Sequence, residues 1–222
     1  MLDIFEILGP IMVGPSSSHT AGAVRIGRMG RTLLGEPVRE AEIALSGSFA
    51  KTGQGHGTDR ALIAGLLGMD TDDLRIPESF AAAKEQGLRF SFREAHLRDA
   101  HPNTALLRLR GEGGNALELQ AASTGGGRIR VDRLNGVEVS FTGDANTLIV
   151  RHQDEMGKLA DVTRQLSNAR VNIAKMNLCR ARRGGEALMV IETDQRVSPV
   201  VRELIQEIPG VVKLTYYERE VD

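Results

Sequence analysis

Apolar positions recur with two different periods along this chain, and the pattern is most regular in its last third. The run Thr147–His152 (TLIVRH) predicts a short strand, and beyond it Leu159, Val162, Leu166 and Ala169 recur at helical spacing. Asn172 to about Arg182 predicts a second strand, Arg183-Gly184-Gly185 a turn, and Glu186–Thr193 a third strand. Ser198–Ile208 predicts a second amphipathic helix, with Ser198 as N-cap, Pro199 in its first position and Val201, Leu204, Ile205 and Ile208 facing inward. Pro209-Gly210 stops that helix, and Val211–Arg219 reads as a final strand. The order β-α-β-β-α-β within 146–222 is the ferredoxin-like, split βαβ pattern.

The earlier part mixes strands and helices with many glycine loops. Ala21, Val24, Ile26, Leu33 and Leu34 suit a close-packed helix, Glu42–Leu45 a strand, and Arg60–Leu67 a second helix. Further strands are expected at Ala105–Arg110, Ala116–Ala121 and Arg128–Val131. Of the 25 glycines, 21 precede Asn146, so the first part holds the loops where backbone comes close to something. The turn-rich FTGDAN at 141–146 marks a junction between domains at 1–145 and 146–222, with no long linker between them. The fold class is α/β (α+β): an α/β domain followed by a ferredoxin-like one.

Composition narrows the function. With 222 residues, 41% hydrophobic and 26% charged, the chain can bury a core, and no apolar run approaches the roughly 20 residues of a membrane span. A net charge of −1 gives no field for nucleic acid or anionic lipid. One cysteine makes no internal disulfide, and MLDIFEILGP lacks the basic start of a secretory signal, so a reducing cytoplasm is expected. The same count excludes a zinc or iron–sulfur site held by this chain's thiolates, and no metal site is expected in this chain. Cys179 itself, in a predicted strand, reads as structural.

Candidate chemistry gathers in loops. Gly14-Pro15-Ser16-Ser17-Ser18-His19-Thr20 stands before a helix, where hydroxyls cap and free backbone N–H groups attract anions. One serine suffices for a cap, so three suggest a phosphate or carboxylate; a serine-rich turn with a surface histidine is the plain alternative. The loop 47–59, GSFAKTGQGHGTD, follows a strand but matches neither G-x-G-x-x-G nor G-x-x-x-x-G-K-[ST], which disfavours a nucleotide. It offers instead His56 between two glycines, an imidazole free to approach a small substrate with a pKa near working pH. Ser123-Thr124-Gly125-Gly126-Gly127 suggests close approach of backbone to a ligand, and His101-Pro102-Asn103-Thr104 adds a further polar cluster.

Together, GPSSSHT, GSFAKTGQGHGTD, HPNT and STGGG followed by a ferredoxin-like unit resemble, over the whole chain, the β subunit of bacterial iron–sulfur L-serine dehydratases. The first domain is then similar to the allosteric substrate-binding domain of some 3-phosphoglycerate dehydrogenases. The second resembles an ACT domain, on His152-Gln153-Asp154-Glu155-Met156-Gly157 and Val171-Asn172-Ile173. The resemblance implies conversion of L-serine to pyruvate and ammonia, in serine catabolism, with a 4Fe-4S cluster held by a separate α subunit. It implies His56 and His19 as catalytic residues, His56 as α-proton base and His19 positioning the substrate, the reverse assignment remaining open. Ser16, Ser17, Ser18, Thr20, Lys51, His101, Ser123 and the amides of Gly125, Gly126 and Gly127 would bind the substrate.

In the ACT domain the effector residues would be His152, Asp154, Gly157 and Asn172. Asp154 and Met156 stand where related loops carry Asn and Pro, and an acid there favours an ammonium over a carboxylate. L-serine, a monovalent cation or nothing at the ACT interface remain open, as does a purely self-associating ACT domain. The competing class is a non-catalytic serine-sensing module related to the phosphoglycerate dehydrogenase regulatory segment.

Overall fold

The computed structural model describes residues 11–53, 55–180 and 182–219. The stretch 1–10, read above for a leader, Gln54 of the glycine loop and Ala181 of an expected strand lie outside them. The chain forms two compact units, Met1–Gly136 and Val137–Asp222.

In the first unit, a π-helical turn at Ser17–Ala21 runs into α1 (Gly22–Leu34). Then come β1 (Val38–Gly47), α2 (Ser48–Thr52), α3 (Thr58–Leu67), a 3-10 turn at Ile76–Glu78, and α4 (Ser79–Glu85). β2 (Arg89–Glu94), β3 (Asn103–Gly111), β4 (Ala116–Gly125) and β5 (Arg128–Leu134) complete it. The strands lie in the order β2-β1-β3-β4-β5; β1 and β2 are parallel and the other pairs antiparallel.

The apolar spacing in α1 does what it promised: Val24, Ile26, Leu33 and Leu34 are buried. Its glycines add a feature periodicity does not show. A Cβ on Gly27 would sit 2.3 Å from the Leu62 carbonyl, and one on Gly65 would sit 2.1 Å from the Val24 carbonyl. α1 and α3 therefore meet backbone to backbone, which only glycine permits. Gly30 lies over Leu107, Leu109 and Leu119, placing α1 on β3 and β4.

Three findings depart from expectation here. β1 is longer than Glu42–Leu45, because pairing with both β2 and β3 orders its flanks. The loop 47–59 contains the short helix α2, and α4 and β2 are additional elements. β2 is an exposed edge strand whose Phe90 and Phe92 stack with Phe80 of α4, ring centroids 4.9 and 6.3 Å away.

The second unit opens with β6 (Val137–Phe141) and continues through β7 (Asn146–Gln153), α5 (Lys158–Asn168), β8 (Ile173–Arg180), β9 (Glu186–Thr193), α6 (Pro199–Gln206) and β10 (Val211–Tyr217). The β-α-β-β-α-β order from β7 onward matches the expectation, with an antiparallel sheet ordered β10-β7-β9-β8. Ser198 caps α6 as anticipated, its hydroxyl accepting from the Val201 N–H. Leu148, Val150, Met189 and Ile191 pack against Val162, Leu166, Ile205 and Ile208. Each such side chain contributes about 1.5–3 kcal/mol on burial, against about 0–1 kcal/mol for a surface ion pair, so apolar packing holds this unit.

The inward sets need correction at their margins. Leu159 and Leu204 are 40% and 45% exposed, and Ala169 is exposed at the end of α5. Val201 is only partly buried, because each short helix meets the sheet along a narrow line through Val162 and Leu166, or through Ile205.

Candidate active site

Two polar loops of the first unit, 14–20 and 47–59, meet at His19. Ser16, in extended conformation, caps the π-helical turn by accepting from the His19 N–H at 3.2 Å. The turn leaves His19 half-buried, its Nδ1 3.4 Å from Ser16 Oγ. Its Nε2 is 3.2 Å from Ser48 Oγ and 3.0 Å from Thr52 Oγ1, both on α2. Phe49, fully buried, meets the imidazole edge to face at 5.3 Å.

The short helix α2 is held by the end of β1. Gly47 has φ +58°, and a Cβ there would lie 2.5 Å from the Pro102 carbonyl. That carbonyl accepts from the Ser48 N–H at 2.7 Å, so the HPNT segment docks on the start of α2. His101 belongs to this scaffold: its Nδ1 accepts from the Asn103 N–H at 3.1 Å, and its carbonyl accepts from the Thr104 hydroxyl.

After α2 the chain turns back, with the His56 N–H donating to the Thr52 carbonyl at 3.1 Å. The His56 imidazole then lies 5.1 Å from that of His19. His56 is exposed, and no described residue hydrogen-bonds its ring. Burial holds the His19 pKa below the ordinary histidine value, and the neighbouring His56 lowers it further; a hydrogen bond to Ser48 acts the other way. The pair thus combines one neutral, hydroxyl-bound imidazole with one open imidazole, an arrangement able to move a proton to or from a small molecule.

The other expected residues fall into different settings. Ser17 and Ser18 are half-buried on the π-helical turn. Thr20 is buried, and its hydroxyl finds no partner among the described residues. Ser123 is fully buried against the start of α1, where a Cβ on Gly22 would strike it. Gly125, Gly126 and Gly127 make the β4–β5 hairpin turn with φ of +109°, +59° and +77°, so the turn by itself demands glycine there. Lys51 lines a cleft of about 520 Å³ together with Phe49, Asp59, Arg93 and Glu94.

In the second unit, His152 is buried and its Nδ1–H donates to the Gln153 carbonyl at 2.6 Å. The Asp154 carboxylate accepts from Gly184 N–H at 3.0 Å and from Arg180 at 2.7 Å. The Gly184 bond first, then Arg180, holds its pKa below the ordinary aspartate value. Asn172 donates to Asp194 at 2.6 Å, and Gly157 supplies the left-handed N-cap of α5. The side chains of Asp154 and Asn172 thus have hydrogen-bond partners within this unit.

Sequence reasoning passed over Ser48 and Thr52, although both stand in a motif it singled out. Their i, i+4 spacing was the available signal, since it puts both hydroxyls on one face if the segment is helical. Among the described residues no group of His, Cys, Asp and Glu could hold a metal ion, and no helix is long and apolar enough to cross a membrane.

Comparison with known proteins adds the following. The family model described as serine dehydratase beta chain matches residues 1–133, and that of the ACT domain matches 146–210. The chain is 41% identical over 212 residues to a probable L-serine dehydratase beta chain of Bacillus subtilis, covering 96% of both chains. It is 36% identical to the L-serine dehydratase beta chain of Peptoniphilus asaccharolyticus, covering 95% of this chain and 94% of that one. It is also 25% identical to D-3-phosphoglycerate dehydrogenase of Bacillus subtilis, over 86% of this chain and 36% of that protein.

Proposed function

The chain belongs to the serine dehydratase beta chain family and works as an L-serine ammonia-lyase subunit, and we propose that its share of the reaction is proton transfer and substrate holding by the His19–His56 cluster. The observation that carries this is the 5.1 Å pairing of an open imidazole with a hydroxyl-bound one. L-serine becomes pyruvate and ammonia when its α-proton is removed, its hydroxyl leaves as water, and the resulting enamine tautomerises and hydrolyses. His56 is the base that takes the α-proton, because its ring is exposed and unengaged among the described residues. His19 orients the substrate beside it.

Ser16, Ser17 and Ser18, with Thr20, Ser123 and the Gly125–Gly127 amides, bind the amino acid. His101 contributes through the turn that seats α2, and Lys51 supplies positive charge nearby. The 4Fe-4S cluster is assigned to an α subunit, since Cys179 is this chain's one cysteine and lies in β8. The residues present here do not fit a cluster site. We read the domains as 1–145 and 146–222, the second an ACT domain through which β chains associate, with L-serine or a monovalent cation as candidate effectors near His152, Asp154, Gly157 and Asn172. The single cysteine supports a reducing cytoplasm as its place.

The test is anaerobic co-purification from the native host with an assay of pyruvate release from L-serine. A brown, active complex with a cysteine-bearing second chain is expected. A colourless single chain that binds serine without forming pyruvate would favour the regulatory reading that the phosphoglycerate dehydrogenase similarity offers.

A further inference from the structure

We infer that Thr52, together with Ser48, is a positioning residue that holds the His19 imidazole as its Nε2–H tautomer and turns its basic nitrogen, Nδ1, toward Ser16. The catalytic consequence rests on the dehydratase reading above; the tautomer itself does not.

Counting hydroxyl hydrogens leads there. A threonine hydroxyl has one hydrogen to donate. Thr52 Oγ1 donates it to the Ser48 carbonyl, 2.9 Å away, one helical turn back, and a carbonyl can only accept. The same oxygen is 3.0 Å from His19 Nε2, so in that contact the ring must be the donor. Ser48 Oγ, 3.2 Å from Nε2, is a second acceptor for the same hydrogen, and its own hydrogen turns to Thr52 Oγ1, 3.5 Å away. A neutral imidazole carries one N–H, which leaves Nδ1 with the lone pair. Ser16 Oγ accepts from the His19 N–H at 3.2 Å, and its own hydrogen is then free to point at Nδ1, 3.4 Å away. All the hydrogens run in one direction, from Ser16 through His19 and Thr52 to the Ser48 carbonyl.

This order separates the two histidines. His19 can gain a proton only at Nδ1, on the side of Ser16, while its Nε2 is closed off by two hydroxyls of α2. A substrate carbon cannot reach the basic nitrogen of His19 from the α2 side, so the open imidazole of His56 is the one placed to take a proton from it. α2 depends on Gly47 and the Pro102 carbonyl, which links the tautomer to the β1 terminus.

The experiment is a long-range proton–nitrogen NMR spectrum of the imidazoles in the full-length, nitrogen-15-labelled chain, with His19→Gln to assign its signals among the five histidines. Above its pKa, His19 is expected to show a protonated Nε2 and an unprotonated Nδ1; the reverse pattern in the unaltered protein overturns the inference without any variant. The double change Ser48→Ala/Thr52→Val should convert the signals to a mixture of tautomers, whereas Thr52→Ser, which keeps the hydroxyl, should leave them as they are. An unchanged pattern in the folded double variant also overturns it. In the assembled enzyme the double variant should lower kcat roughly 10- to 100-fold, with Thr52→Ser restoring it. A kcat that does not move removes the positioning role. If the unaltered complex forms no pyruvate at all, the functional reading fails while the tautomer result stands.

Discussion

The loop that carries His56 and the loop from His152 to Gly157 look alike on paper. Each places a histidine shortly before a helix, and each helix starts behind a glycine in the left-handed region, Gly57 at φ +70° for α3 and Gly157 at φ +88° for α5. Their side chains are used in opposite ways. In the first unit His56 stands exposed beside a His19 ring clasped by hydroxyls. In the second, His152 is buried and Asp154 ties the β8–β9 hairpin through Arg180 and Gly184. A polar residue in a glycine-flanked loop is therefore available for chemistry only if the fold around it leaves its hydrogen bonds unmade.

Substitutions on the two sides should break this contrast unequally. His56→Ala in the assembled enzyme should lower kcat by about 10²- to 10⁴-fold, the usual contribution of a general base. Turnover within twofold of the unaltered enzyme would remove His56 from the mechanism. Next comes Gly47→Ala, which combines a left-handed backbone with a collision against the Pro102 carbonyl and should cost about 1–3 kcal/mol or more. Urea unfolding of the full chain measures it, and an unchanged midpoint would mean that α2 does not depend on this contact.

Asp154→Asn should have a smaller effect, expressed through acid. Its folded pKa lies below the ordinary 3.8, so its stabilisation is present above that value and disappears as pH falls through the folded pKa. The variant should therefore lose that stabilisation at neutral pH and converge with the unaltered protein below the folded pKa, which flattens the acid limb; an equal loss at both would point to packing instead. The smallest effect belongs to His19. Its folded pKa lies below 6.5, so the unfolded chain binds more protons just below that pH, and stability should rise with pH up to about 6.5. Thermal unfolding of His19→Gln across this range should show a shallower rise, and an identical slope would contradict the burial of His19.

The elements from β7 onward could be read almost residue by residue, because their signals are local. Ser198 and Pro199 start α6 through bonds within four residues, and Glu186–Thr193 is a strand with the bounds its sequence suggests. α4 and β2 escaped because they are short and lie at the sheet edge, where little apolar surface is buried and the pattern is weak. α2 escaped for another reason. It is held by Gly47 and the carbonyl of Pro102, residues far apart in sequence, and no local period announces it.

Residue order alone thus determined the βαββαβ order from β7 onward and the loops in which His19 and His56 lie, since these follow from periodicity, caps and glycine spacing over a few residues. Which polar groups meet was settled by packing. Ser48 and Thr52 reach His19 across intervals of 29 and 33 residues only once α2 is docked on the end of β1. Asp154 finds Arg180 only once β7, β8 and β9 pair. Hydrogen bonds fade over a few tenths of an ångström, so the division between an open histidine and an engaged aspartate exists only after the backbone is in place.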